Sequence, residues 1–201
     1  MFVLTKMNNK TVIAYTDGSC VYNGRNNACA GYAYIFPLHD LYEYNYIYSG
    51  TNNRAELMAI LKAIQTAKKD FKANSLVIKT DSQYCINAIH SWIYKWKRYA
   101  KSDGTWIKPD KQHVKNQDLL KAIDRERNES GFYLSAVFVK AHTSNQNEST
   151  KWNAVVDKLA KISCNNQIDN NKNSFHSRGS MKEIQHIINK AHNDIFQKPK
   201  V

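Results

Sequence analysis

Two short apolar runs each end in a Thr-Asp pair: Val12-Ile13-Ala14-Tyr15-Thr16-Asp17 and Leu76-Val77-Ile78-Lys79-Thr80-Asp81. β-Branched and aromatic residues mark each as a buried strand, with Gly18 and Ser82 punctuating the ends. Both aspartates are then expected at the carboxyl ends of strands that share one site. An ionised carboxylate there is costly unless it is hydrogen-bonded, paired or bound to a cation. Two such acids repel each other, so a hard divalent cation held between oxygen ligands is the simplest occupant. Glu56 and Asp157 are further candidates. Glu56 lies in the first turn of a helix, near its apolar stripe, where a carboxylate also suits the positive helix end. Asp157 directly follows two valines, on a face that should pack inward, where a lone aspartate would be destabilising.

Hydrophobic period defines the elements that must position these acids. Thr11–Asp17, Ala30–Phe36 and Leu41–Tyr48 are expected strands, the last with strict alternation, and their short connections suggest an antiparallel meander. Ala55, Leu57, Met58, Ile60, Leu61, Ile64 and Ala67 then mark a helix, with N-cap candidates at Thr51, Asn52 and Asn53. Helical spacing returns at Gln83–Ile93, around Leu119–Ile123 and at Trp152–Ile162, and Tyr133–Val139 is a further strand. Ser144–Lys151 is expected to be a polar surface loop. Five Asn within residues 165–173 predict a disordered linker, and Met181–Phe196 an amphipathic helix.

The chain carries 29 Lys and Arg against 17 Asp and Glu, a formal charge of +12, which favours a polyanionic partner, nucleic acid before membrane. Between Trp92 and Lys115 there are seven cations and two acids. Lys95, Lys97, Arg98 and Lys101 are interleaved there with Trp92, Trp96 and Trp106, a composition suited to phosphates and sugar faces. The alternative is a solvated helix whose tryptophans reach the core. No run approaches the ~20 apolar residues of a bilayer span, and the first ten residues lack a signal-peptide core. The expected location is therefore intracellular, cytoplasmic or at sites of DNA replication. Cys20, Cys29, Cys85 and Cys164 are scattered without zinc-finger spacing and are expected as reduced thiols.

TDGSC at 16–20, TNNRAELMAI at 51–60, TDSQY at 80–84, KAH at 140–142 and WNAVVDKLA at 152–160 resemble, in identity, order and spacing, type 1 ribonuclease H. The resemblance covers about residues 10–163. It implies an α/β fold, a ribonuclease H-like five-stranded mixed sheet flanked by helices, with a basic protrusion. The expected division is a lead (1–10), the ribonuclease H domain (11–163), an Asn-rich linker (164–180) and a C-terminal extension (181–201).

Carried over by position, the resemblance implies that Asp17, Glu56, Asp81 and Asp157 are metal ligands and that His142 is the catalytic loop histidine. Fourteen residues separate His142 from Asp157, a longer loop than in bacterial members. Asn23, Thr51, Asn52, Asn53 and Gln83 are implied contacts to the hybrid, with the basic protrusion Trp92–Lys115 gripping its DNA strand. The implied activity is endonucleolytic hydrolysis of the RNA strand of RNA–DNA hybrids by two Mg²⁺ ions, Mn²⁺ being an alternative, leaving 5′-phosphate and 3′-hydroxyl ends. A monomer without small-molecule cofactor or membrane partner is expected. Rival readings are a catalytically silent binding module and a nuclease of the same fold acting on DNA or junctions.

Overall fold

β1 (Thr11–Val21), β2 (Cys29–Phe36) and β3 (Leu41–Tyr48) form an antiparallel meander, and β4 (Ser75–Thr80) and β5 (Tyr133–Phe138) add in parallel on the other side of β1. The resulting sheet has the order β3-β2-β1-β4-β5. This computed structural model describes residues 10–25, 28–48, 50–141, 147–171 and 178–196. The helices are α1 (Asn52–Lys69), α2 (Gln83–Asn87), α3 (Ile93–Arg98), α4 (Gln117–Asn128), α5 (Glu148–Asn171) and α6 (Arg178–Phe196). A π-helical turn, Ala88–Trp92, joins α2 to α3.

Each face of the sheet is covered by its own apolar cluster. On one side Leu57, Ile60 and Ile64 of α1 pack with Leu76 and Ile78 of β4 and Leu120 and Ile123 of α4. On the other, Tyr15 and Ile35 meet Trp152, Val155, Val156 and Leu159 of α5. The five-stranded mixed sheet flanked by helices is the expected architecture.

Three boundaries differ from expectation. β1 does not end at Gly18: it continues to Val21 as an arm of the β1–β2 hairpin, with Asp17 opposite Ala33. The parallel β1–β4 ladder stops at Tyr15 and Lys79, so Asp17 stands where β4 leaves β1 rather than at a strand end. α5 begins four residues before Trp152, inside the expected polar loop. Asn147 and Thr150 cap it reciprocally, each backbone N–H bonded to the other's side-chain oxygen at 3.0 Å. α5 also runs on to Asn171, so residues 164–171 of the expected linker are helical. Buried Ser163 and Cys164 tie this stretch to the sheet, the Cys164 thiol donating to the Cys29 carbonyl at 2.8 Å.

α6, left without a role by its sequence, docks. Its Ile184, Ile188 and Ala191 are buried against the α5 cluster, and Lys151 donates to the Asp194 carbonyl at 3.0 Å. Gly31 is where α5 crosses β2 most closely. A Cβ there would overlap the Ala160 carbonyl oxygen, the Ser163 hydroxyl and the Cys164 nitrogen. Two of these are backbone atoms and cannot step aside. Gly31→Ala is expected to cost about 1–3 kcal/mol in urea denaturation; an unchanged midpoint would mean that α5 is free to shift.

Candidate active site and nucleic-acid interface

Asp17, Glu56 and Asp81 come together where β4 leaves β1, each offering a carboxylate oxygen within 4.8 Å of the others. Asp17 arrives on β1, Asp81 just past β4, and Glu56 in the first turn of α1. Thr51 caps that helix, its hydroxyl accepting from the Arg54 N–H at 3.3 Å. Gly18 lets the two elements approach: a Cβ there would collide with the backbone of Ala55 and Glu56. Asp17 and Glu56 are buried, at 4% and 3% exposure, and Asp81 is half-buried.

Burial pushes the Asp17 carboxyl up to about 8, with the charges of Asp81 and Asp157 adding to it. The Gly18 N–H, 2.7 Å from Asp17 Oδ1, and a hydrogen bond with Glu56 act the other way. Burial raises Glu56 well above the usual range too, reinforced by Asp17 and Asp81. The Cys85 thiol, raised first by its own burial and then by Glu56, also feels Asp17 and Asp81. Glu56 Oε2 is buried without a hydrogen-bond partner among the described residues. Three oxygen donors, a carboxyl oxygen with nothing to bind and mutual repulsion fit a hard divalent cation, which would relieve all three.

Asp157 is not part of this triad. It sits on α5 with Lys161 2.7 Å from its Oδ2, near enough for its charge to raise Asp17. One turn earlier, buried Asn153 donates its amide to Asp81 Oδ2 at 3.0 Å. This bond comes from the fold, which brings residues 72 apart into contact. Asn153→Ala is expected to weaken divalent-ion affinity about 10–100-fold with little loss of secondary structure. Titration calorimetry checks this, and equal affinity would exclude a positioning role. His142 lies outside the described residues.

Beside the first turn of α1 opens a groove of about 1310 Å³. Asn23, Thr51 and Asn53 line its near wall, and Trp92, Lys95, Trp96 and Arg98 its far wall. Asn52 is turned inward at its backbone, its N–H bonded to Asn23 Oδ1 at 3.3 Å. The Gln83 amide donates to Asn87 Oδ1. Not every expected contact faces the groove. Lys97 is held by Asp124 at 2.8 Å, and Lys101 is not among the lining residues. Trp106 is buried in the core, its backbone N–H donating to Gln117 Oε1 and its ring under Lys121. Lys108 and Lys115 line the groove instead, together with Tyr84 and Tyr99. The excess of cations in this stretch marks a basic surface, but its alternation does not say which side chains turn outward.

A sequence model of the family described as RNase H matches residues 9–165. The chain is 34% identical to a ribonuclease H of Treponema denticola, across 75% of this chain and 94% of the relative. It is 32% identical to a ribonuclease HI of Vibrio parahaemolyticus, across 78% and 92%. Among solved structures it resembles LC9-RNase H1, a type 1 RNase H with the type 2 active-site motif, with a TM-score of 0.59 at 20% identity over 78% of this chain and 73% of the other. The solution structure of the PFV RNase H domain gives a TM-score of 0.56 at 23% identity, over 77% and 94%. With its fold, its acidic triad and a match spanning most of its length, the chain belongs to the RNase H family and is an RNase H enzyme.

Proposed function

We propose that the protein cleaves the RNA strand of RNA–DNA hybrids internally, with Asp17, Glu56, Asp81 and Asp157 holding two Mg²⁺ ions, and leaves 5′-phosphate and 3′-hydroxyl ends. The observation that carries this reading is the Asp17–Glu56–Asp81 triad, whose buried, mutually repelling carboxylates need cations to be ionised together. When bound, the ions supply an activated water and neutralise charge at the phosphate and the leaving oxygen. The chain's own residues do the rest. Asp81, oriented by Asn153, and Asp17, fixed by the Gly18 N–H, present oxygens at the sheet end. Asp157 would give up Lys161 to complete the second ion's ligands. His142 would assist product departure or shuttle a proton.

Selectivity needs a reader of the 2′-hydroxyl and of the duplex shape. Asn23, Asn52 and Asn53 stand beside the first turn of α1 and offer amide donors and acceptors to the strand being cut. The groove beyond them, with Lys95, Arg98, Lys108 and Lys115, would take the phosphates of the DNA strand. Competition of a labelled hybrid against duplex DNA, duplex RNA and a four-way junction tests this reading. Preferential displacement by unlabelled hybrid is expected; a preference for the junction or duplex DNA would move the protein to another nuclease branch of the fold.

A further inference from the structure

We propose that the cleft between α5 and α6 is a second phosphate-backbone contact, holding the part of a nucleic-acid duplex that extends past the cleavage site. The inference rests on the hybrid-cleaving reading above. α6 lies beyond residues 9–165, the span matched to the family, so the cleft is a feature of this chain's extension. Its apolar face is already spent on α5 through Ile184, Ile188 and Ala191. What that packing leaves is a cleft with an apolar floor of Ala154, Val155, Ile187 and Ala191 and a basic rim. The cleft, about 410 Å³, is lined by Lys151, Lys158, His186 and Lys190, with Asp194 as the one acid. Lys158 and Lys190 are exposed and have no ion-pair partner among the described residues. Lys151 is fixed in place by the Asp194 carbonyl without losing its charge.

The cleft and Asp157 lie on neighbouring faces of the same helix, α5. An α-helix turns about 100° per residue, so Asn153 and Asp157 share one stripe of α5, with Lys161 about 40° and Lys158 about 100° around from Asp157. Lys161 touches Asp157 itself. A row of lysines therefore leads from the edge of the triad to the α6 cleft. From Lys151 to Lys161 it rises about 15 Å, room for roughly four phosphates of one strand at about 3.4 Å of duplex axis each. A duplex seated on the triad and long enough to pass α5 would meet this row.

The test compares hybrids of about 10 and about 30 base pairs, measuring affinity by fluorescence anisotropy across a salt series. Asp17→Asn serves as background so that substrate stays intact, with and without the paired exposed changes Lys158→Glu and Lys190→Glu. The pair is expected to weaken binding of the long hybrid at least about tenfold and to reduce its salt slope by about 2, while both proteins bind the short hybrid equally. Unchanged affinity for the long hybrid would overturn the proposal and leave the cleft to an acidic protein partner; equal loss on both lengths would overturn it as a general charge effect. Cleavage of the short hybrid by the unaltered protein, run in parallel, tests the catalytic reading separately.

Discussion

Asp17→Asn is expected to reduce hybrid cleavage by on the order of 10³-fold or more, while making the metal-free protein more stable. The two effects have one origin. Asp17 is buried, faces Asp81 and Asp157, and shares a hydrogen bond with Glu56. An amide of the same shape has no charge to desolvate and no proton to take up on folding, so it removes from the folded state the cost that raises the Asp17 carboxyl. It also removes an anionic ligand, and divalent ions in such sites supply several kcal/mol to the transition state, about 1.4 kcal/mol for each tenfold in rate. The paired measurements are single-turnover cleavage and denaturant unfolding in EDTA. A variant that lost both activity and stability would show Asp17 to be a structural acid.

The second large effect concerns pH and metal. The folded Asp17 carboxyl is raised from 3.8 to about 8, so between these values the unfolded chain is ionised where the folded one still binds a proton. Stability contributed by the protonated form is complete below about pH 4 and is lost as pH rises to about 8, where the penalty levels off. Glu56 shifts in the same direction. At pH 7 the Asp17 contribution amounts to at most a few kcal/mol. A divalent cation binds the ionised acids and opposes this loss, so the melting temperature gained on adding Mg²⁺ should grow from pH 5.5 to pH 8. Thermal scans with Mg²⁺ and with EDTA across that range check it, and a gain independent of pH would mean that the triad is not where the ion binds.

The triad was legible before the fold because its physics is local. A Thr-Asp pair ending an apolar run is an anomaly in composition, and Glu56 and Asp157 were drawn in by the apolar residues beside them. What sequence could not supply were distances between remote partners. Nothing in the basic stretch around Lys97 announces Asp124, 27 residues on, which holds its ammonium. Trp106 sits in a basic, aromatic stretch yet is buried by α4 residues that no periodicity connects to it. The Asn-rich run to Asn171 has poor helix propensity, but it continues a helix already anchored by Trp152, Val156, Leu159 and Cys164, and packing outweighs propensity. The docking of α6 likewise depends on a complementary face of α5. Its own pattern showed an apolar stripe and nothing of what would cover it.

The most direct test of the central claim is cleavage of a hybrid labelled on both strands, in Mg²⁺ and in EDTA, with the product ends mapped and Asp17→Asn as control. Metal-dependent cutting at internal positions of the RNA strand alone, giving 5′-phosphate and 3′-hydroxyl ends and lost in the control, is the predicted result. Cutting that persists in EDTA or in Asp17→Asn, or that falls on the DNA strand, would contradict the account.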